Sequence, residues 1–320
     1  MRHFLDFEKP IAELESKIEE LRKMSEADGI NIAEEVARLT AKADSQTRAT
    51  YAKLTAWQKT QVARHPERPK AKQYIASLIS DFTPLAGDRA FGEDAAIVGG
   101  LGRLGGRSVV VLGQEKGDDT DSRIRHNFGM ARPEGYRKAM RLMELASKFS
   151  RPIVCFLDTP GAYPGIDAEE RGQAEAIAQN LREMARLRVP VIVIVIGEGG
   201  SGGALALGVG NRVYMLENAV YSVISPESCA SIIYRDAAKA PLAAASLKMS
   251  APELKHLGLI DGIVPEPGEG AHTDHDSAAE HVRDTLRAAL AELQSLSAEQ
   301  LIEDRYQKFR RMGAFFEEAA

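Results

Sequence analysis

Val191-Ile192-Val193-Ile194-Val195-Ile196-Gly197-Glu198-Gly199-Gly200-Ser201-Gly202-Gly203 is the stretch on which the reading of this chain turns. Six β-branched residues with no polar side chain read as a strand covered on both faces, as in a parallel sheet. Five glycines fill the next seven positions, and Ala204–Gly208 reads as a short helix of small residues. Glycine lets a backbone approach a ligand closely, and a helix start presents unpaired N–H groups. Strand, glycine turn and helix N-terminus together make an anion or oxyanion site. The plain alternative is a glycine run that serves only tight packing.

Three chemistries compete for this loop. Gly197, Gly199 and Gly202 match G-x-G-x-x-G, with Glu217 further on, as in a dinucleotide site. The helix is too short for that, because Gly208, Gly210 and Asn211 stop it. Gly199–Gly203 also matches the G-x-S-x-G nucleophile elbow, with Ser201 as nucleophile. Asp261 with His272, His275 or His281 satisfies the chain order, but those histidines fall in or beyond a polar Gly/Pro loop that gives them no frame. The third reading needs no nucleophile: Gly202 and Gly203 donate two N–H groups to a developing oxyanion. A P-loop is excluded, since no Lys-Ser/Thr pair follows.

Outward from the loop, the middle of the chain alternates strand and helix. Ala95–Leu104 and Arg107–Leu112 read as strands joined at a Gly105-Gly106 turn. Pro133 opens a helix running to about Lys148, a position where proline is tolerated. Ile153–Leu157 is a strand and Ala168–Leu187 a second long helix. Short strands follow near Val213–Met215 and Ala219–Val223, then helix Ala251–His256 and strand Leu259–Val264. Pro265–Ser277 reads as a surface loop. Residues 6–64 are helical in period, with Ile11, Leu14, Ile18 and Leu21 on one stripe and a break at Gly29. His65-Pro66-Glu67-Arg68-Pro69 ends that arm. Charged helices return from Ser277 to about Phe315. The expected fold class is α/β, divided into a helical arm (1–70), a core (71–276) and C-terminal helices (277–320).

With 320 residues, 44% hydrophobic and 27% charged, the chain can bury a sizeable core. A net charge of -5 argues against nucleic acid as a partner. Cys155 and Cys229 stand apart, so they form no thiolate metal site and read as reduced thiols. The start Met1-Arg2-His3-Phe4-Leu5-Asp6 has no apolar leader, and Val189–Ile196 is too short to span a bilayer. The expected location is the cytoplasm, with no membrane partner.

Several motifs, taken in order, carry a resemblance. They are Phe4-Leu5-Asp6-Phe7-Glu8, Ala86-Gly87-Asp88-Arg89, Asn127-Phe128-Gly129-Met130, Pro133-Glu134-Gly135-Tyr136-Arg137-Lys138-Ala139, Asp158–Gly165, Glu169-Glu170-Arg171-Gly172-Gln173, the Gly197–Gly203 loop and Ser225-Pro226-Glu227. The set closely resembles the carboxyltransferase alpha subunits of multi-subunit acetyl-CoA carboxylase. Ala131-Arg132 and Ser228 depart from the family pattern.

The resemblance implies a crotonase-like (ClpP/crotonase) fold of stacked ββα units. It implies transfer of CO2 from carboxybiotin, held on a separate carrier protein, to acetyl-CoA, giving malonyl-CoA in the first committed step of fatty acid synthesis. It implies a zinc-bearing beta subunit in an α2β2 assembly, a biotin carboxyl carrier protein and a biotin carboxylase as partners, with no metal in this chain. Gly202 and Gly203 are then the oxyanion pair. Gly199, Gly200, Ser201, Gly161, Ala162, Tyr163, Asn127, Arg137 and Lys138 are candidates for holding biotin or thioester, and Lys116, Arg123 and Arg125 for meeting phosphates or a partner's acids. The rival readings are a stand-alone acyl-CoA hydratase or isomerase, a peptidase using Ser201, and a non-catalytic assembly subunit.

Overall fold

A computed structural model describes residues 3–28 and 33–313. The break expected at Gly29, the first two residues and Phe315 lie outside them. Eight strands form one sheet: β1 (Ile79–Pro84), β2 (Ile97–Leu104), β3 (Arg107–Gln114), β4 (Ile153–Thr159), β5 (Val191–Gly200), β6 (Arg212–Leu216), β7 (Val220–Ser222) and β8 (Gly262–Val264). Their order is β1-β2-β3-β4-β5-β6-β8, with β7 beside the end of β5. The first three strands are antiparallel and the others pair in parallel.

Parallel pairing buries the central strands. Every residue of β4 and all of β5 up to Gly199 are buried, which explains their unbroken apolar sequence. Gly105 and Gly106 both take positive φ, so the β2–β3 hairpin closes through the turn the sequence announces. Helix Pro133–Lys148 packs on β2 and β3 and against helix Gln173–Arg186. Its inner face carries Tyr136, Leu142 and Met143, all fully buried. Helix His275–Leu293 joins the main core through Val282, Leu286 and Leu290. The N-terminal helices Lys9–Asp28 and Ala33–Tyr51 pair on a separate seam of Leu14, Ile18 and Ala43.

Three expectations change. The helix read as Ala168–Leu187 is two helices, Ile166–Glu170 and Gln173–Arg186, because Gly172 takes φ 81° between them. Gly197–Gly203 is not a free loop. β5 continues through Gly200, paired to β7 on one side and to Thr159 of β4 on the other, and the helix is Ser201–Leu205. Pro265–Ser277 is not a plain surface loop, because Glu266, Ala271 and His272 are buried in it.

Candidate functional site

β3, β4 and β5 are neighbours, so their carboxyl ends meet at one place. This is where ligand crevices form in parallel sheets. Two backbone turns approach each other there, Thr159–Tyr163 after β4 and Gly199–Gly203 after β5. A side-chain carbon on Gly200 would lie 2.2 Å from the Pro160 carbonyl oxygen, and one on Gly203 2.5 Å from the Ala162 nitrogen. Only glycine permits this contact. Gly202 differs, since a carbon there would meet Ile177 at an ordinary 3.8 Å.

Buried Gln114, at the end of β3, ties the turns together. Its Nε2 donates to the Gly203 carbonyl at 2.7 Å, and its Oε1 accepts from the Asp158 N–H at 3.2 Å. Thr159 closes the first turn, its Oγ1 accepting from the Gly161 N–H and donating to the Gly161 carbonyl. Tyr163 donates its N–H to the Ala131 carbonyl, and Arg132 stacks on its ring at 4.6 Å. Arg132, one of the two departures from the family pattern, therefore braces this turn. Ser228, the other, sits in the first turn of helix Pro226–Tyr234 and accepts a hydrogen bond from the Ser225 hydroxyl.

Helix Ser201–Leu205 spans five residues, so its macrodipole is small and its donors act as single N–H groups. Gly202 and Gly203 stand in its first turn, where N–H groups have no acceptor within the helix. Ser201 adopts φ 53°, a left-handed conformation that costs about 1 kcal/mol for a non-glycine residue. That matches an elbow, but no base reaches it among the described hydrogen bonds. His272 stacks on His65 at 4.0 Å, His275 bonds the Glu67 carbonyl, and His281 bonds the Pro265 carbonyl. These histidines are framed after all; they are committed to other partners. Ser201 also lines an apolar hollow of about 260 Å³ with Leu205, Tyr221, Leu254 and Phe309.

Charged groups also converge at the strand ends. Lys116 pairs with Asp158 at 2.8 Å and Glu198 at 2.6 Å, and Arg64 pairs with Glu198 at 2.6 Å and with Glu227. The Glu198 N–H donates to Asp158 at 3.0 Å. Burial opposes charge on Lys116, but the two carboxylates outweigh it and raise its pKa. Burial pushes Glu198 up, but Lys116 and Arg64 outweigh it and hold the carboxyl at about 2. The turn Asn127–Gly129 packs on this cluster. Asn127 and Phe128 take positive φ, Asn127 Nδ2 donates to the Met130 carbonyl, and a carbon on Gly129 would strike Lys116 and Asp158. Arg137 and Lys138 turn elsewhere. Arg137 pairs with Asp88 at 2.8 Å, and Lys138 pairs with Glu93 and the Asp94 carbonyl, so both hold the 88–94 loop.

Glu198 and Glu266 share one expected pH response. Burial raises the Glu266 carboxyl, but Arg68 outweighs it and holds the group at about 2. A carboxylate lowered on folding stabilises fully above its unfolded value, 4.5 here, and that contribution is lost as pH falls toward 2. Melting temperature should therefore drop steeply below about pH 4.5, and Glu198→Gln should flatten part of the slope. A profile flat from pH 5 to 3 in the wild type would contradict both assignments.

No motif in the sequence marks Gln114, Arg64 or Lys70, and Asp158 reads there as the start of a turn. For Gln114 and Asp158 the available signal is a polar residue at the carboxyl end of a buried strand, whereas Arg64 and Lys70 flank helices and carry no such signal.

Solved structures place the fold. It resembles the transcarboxylase 12S core at TM-score 0.58 and 20% identity, covering 73% of this chain and 44% of that one. It resembles a Pseudomonas malonate decarboxylase hetero-tetramer in complex with coenzyme A at TM-score 0.55 and 20% identity, covering 69% and 91%. The fold is therefore that of the crotonase-like carboxyltransferases. A family model described as acetyl co-enzyme A carboxylase carboxyltransferase-like matches residues 4–313. The acetyl-coenzyme A carboxylase carboxyl transferase subunit alpha of Gluconacetobacter diazotrophicus is 62% identical over 98% of both chains. That of Paramagnetospirillum magneticum is 59% identical over 97% of this chain and 98% of its own. The chain belongs to this carboxyltransferase family.

Proposed function

We propose that this chain is the alpha half of an acetyl-CoA carboxylase carboxyltransferase, with Gly202 and Gly203 as its backbone oxyanion donors. The observation that carries the site is the close approach of the Pro160–Ala162 and Gly200–Gly203 backbones. It supports an oxyanion site here, with Gly203 in the contact itself and Gly202 beside it at the end of a buried strand. Biotin on a carrier protein supplies the carboxyl group. The residues fit such a ring system: an apolar hollow beside Ser201 suits its hydrocarbon part, and first-turn N–H groups suit a polar ureido edge.

Gly199, Gly200 and Ser201 shape the turn, and Gly161, Ala162 and Tyr163 form the facing wall. Asn127 holds the turn beside Lys116, while Arg137 and Lys138 support the site through the 88–94 loop. No described helix is long and apolar enough to cross a membrane; a cytoplasmic location is part of the proposed reading. The arm 1–70, core 71–276 and tail 277–320 are its working segments, and residues 64–70 of the arm belong to the site. A zinc-bearing beta subunit in an α2β2 assembly supplies the second oxyanion site, and the biotin carboxyl carrier protein and biotin carboxylase complete the system.

Reconstitution tests this reading. Malonyl-CoA should form from acetyl-CoA only when this chain, a beta partner and carboxylated carrier are combined. Hydration or isomerisation of an acyl-CoA, or peptide cleavage, by the chain alone would sink it. No turnover in any combination would leave an assembly role.

A further inference from the structure

A second feature of the strand ends is a cavity of about 370 Å³ lined by Arg64, Lys70, Lys116, Arg123, Pro160 and Glu198. It adjoins the glycine turns, because Pro160 precedes Gly161 and Glu198 precedes Gly199. Its charges do not cancel pairwise. Glu198 and Asp158 satisfy Lys116, and Glu198 and Glu227 satisfy Arg64. Lys70 and Arg123 have no ion pair within 4 Å among the described residues.

Lys70 is the unusual one. It is 4% exposed, so it is not a solvated surface lysine. Its ammonium carries three donors, and the acceptor found for them is the His65 carbonyl at a long 3.3 Å. Burial lowers its pKa to about 8, with Lys116 and Arg68 adding to the effect and Asp158 opposing it. Burying an ammonium with one long hydrogen bond for three donors is costly, and an anion at the site offsets that cost. The chain as a whole is acidic, at -5, so these cations gather against the general charge.

We propose that this cavity holds the carboxylate being transferred, with Lys70 and Arg123 as its cationic ligands. The inference rests on the carboxyltransferase reading and adds the subsite for the moving group. The cavity lies between the turn after β4, at Pro160, and the end of β5, at Glu198, which leads into the helix carrying the oxyanion pair. The carboxylate can reach it on the carboxylated carrier or on malonyl-CoA.

The assembled αβ complex, with malonate and inorganic phosphate as probes, tests this. Malonate should inhibit the wild type competitively against the carboxyl donor. Lys70→Met and Arg123→Met should each weaken that inhibition and raise the donor KM on the order of tenfold, with the KM for acetyl-CoA unmoved. Lys70→Arg should retain most of the binding. Arg123 stands on the exposed helix Thr120–Arg125, so its variant folds even where the Lys70 variant does not. A rise for carboxylated carrier alone, or for malonyl-CoA alone in the reverse direction, identifies the source, and either supports the site. Unchanged donor KM and malonate inhibition in both Met variants of an active complex would overturn it, as would inhibition by phosphate but not malonate. An inactive wild-type complex overturns the carboxyltransferase reading instead.

Discussion

Gly203→Ala is expected to abolish most carboxyl transfer, lowering turnover by roughly 10²–10³-fold, the usual effect of losing one oxyanion donor. The added carbon would sit 2.5 Å from the Ala162 nitrogen and 2.6 Å from the Gly161 carbonyl carbon, both backbone atoms that cannot rotate away. One turn must shift, and the Gln114 bond to the Gly203 carbonyl shifts with it. Overpacking of this kind costs about 1–3 kcal/mol, so modest destabilisation accompanies the lost activity. Gly202→Ala is the informative partner. Its added carbon finds only Ile177, at 3.8 Å, so fold and assembly should be preserved. The comparison is made by steady-state kinetics on the αβ complex, with thermal melts alongside. Wild-type turnover in the Gly203 variant would remove the oxyanion assignment. Equal losses in both variants with equal melting shifts would show that the turn matters only for packing.

The largest stability effect should come from the buried pair of Arg68 and Glu266. Arg68 donates to both Glu266 oxygens, at 2.8 and 2.6 Å, and its Nε donates to the Ile196 carbonyl at 2.7 Å. Glu266 also accepts from the Asn218 and Ala271 N–H groups, at 2.9 and 2.8 Å. Both side chains are withdrawn from solvent, at 0% and 1% exposure. Removing one partner leaves the other charge buried and unpaired, which costs about 3–5 kcal/mol. Glu266→Ala should therefore lower the melting temperature by roughly 5–15 °C. Replacing both residues by methionine should destabilise less than either single change, because no orphan charge remains. A Glu266→Ala variant melting within a degree of wild type would refute this account. The pair also bears on function, since it anchors the 64–70 segment that supplies Arg64 and Lys70 to the site.

Legibility in the sequence followed the range of the interaction. Helix Pro133–Lys148 was readable to the residue, because a proline at its first position and its apolar period are local signals. The Gly105-Gly106 hairpin was equally local. The helix boundary at Gly172 was missed because glycine interrupts a strong apolar period without a proline beside it. The glycine stretch reads as a loop because glycine is a poor strand former. Pairing to β4 and β7 overrides that preference, and a sequence does not say which strands will be neighbours.

The sequence by itself determined a buried parallel strand, a glycine-rich run leading from it to a short helix, and the family to which they belong; the strand's extension to Gly200 and the helix start at Ser201 came from the structure. Only the tertiary structure decided what surrounds that turn. A charged residue carries no address in the sequence, since its partner is set by which strand ends become adjacent. The β3-β4-β5 order brings Lys116, Asp158 and Glu198 together, seats Gln114 between two turns and leaves Lys70 buried without a full set of acceptors. Packing of helix Pro133–Lys148 beside the β1–β2 connection pairs Arg137 with Asp88 and Lys138 with Glu93. The glycine turn therefore supplies the donors, and long-range packing of charge decides what is held against them.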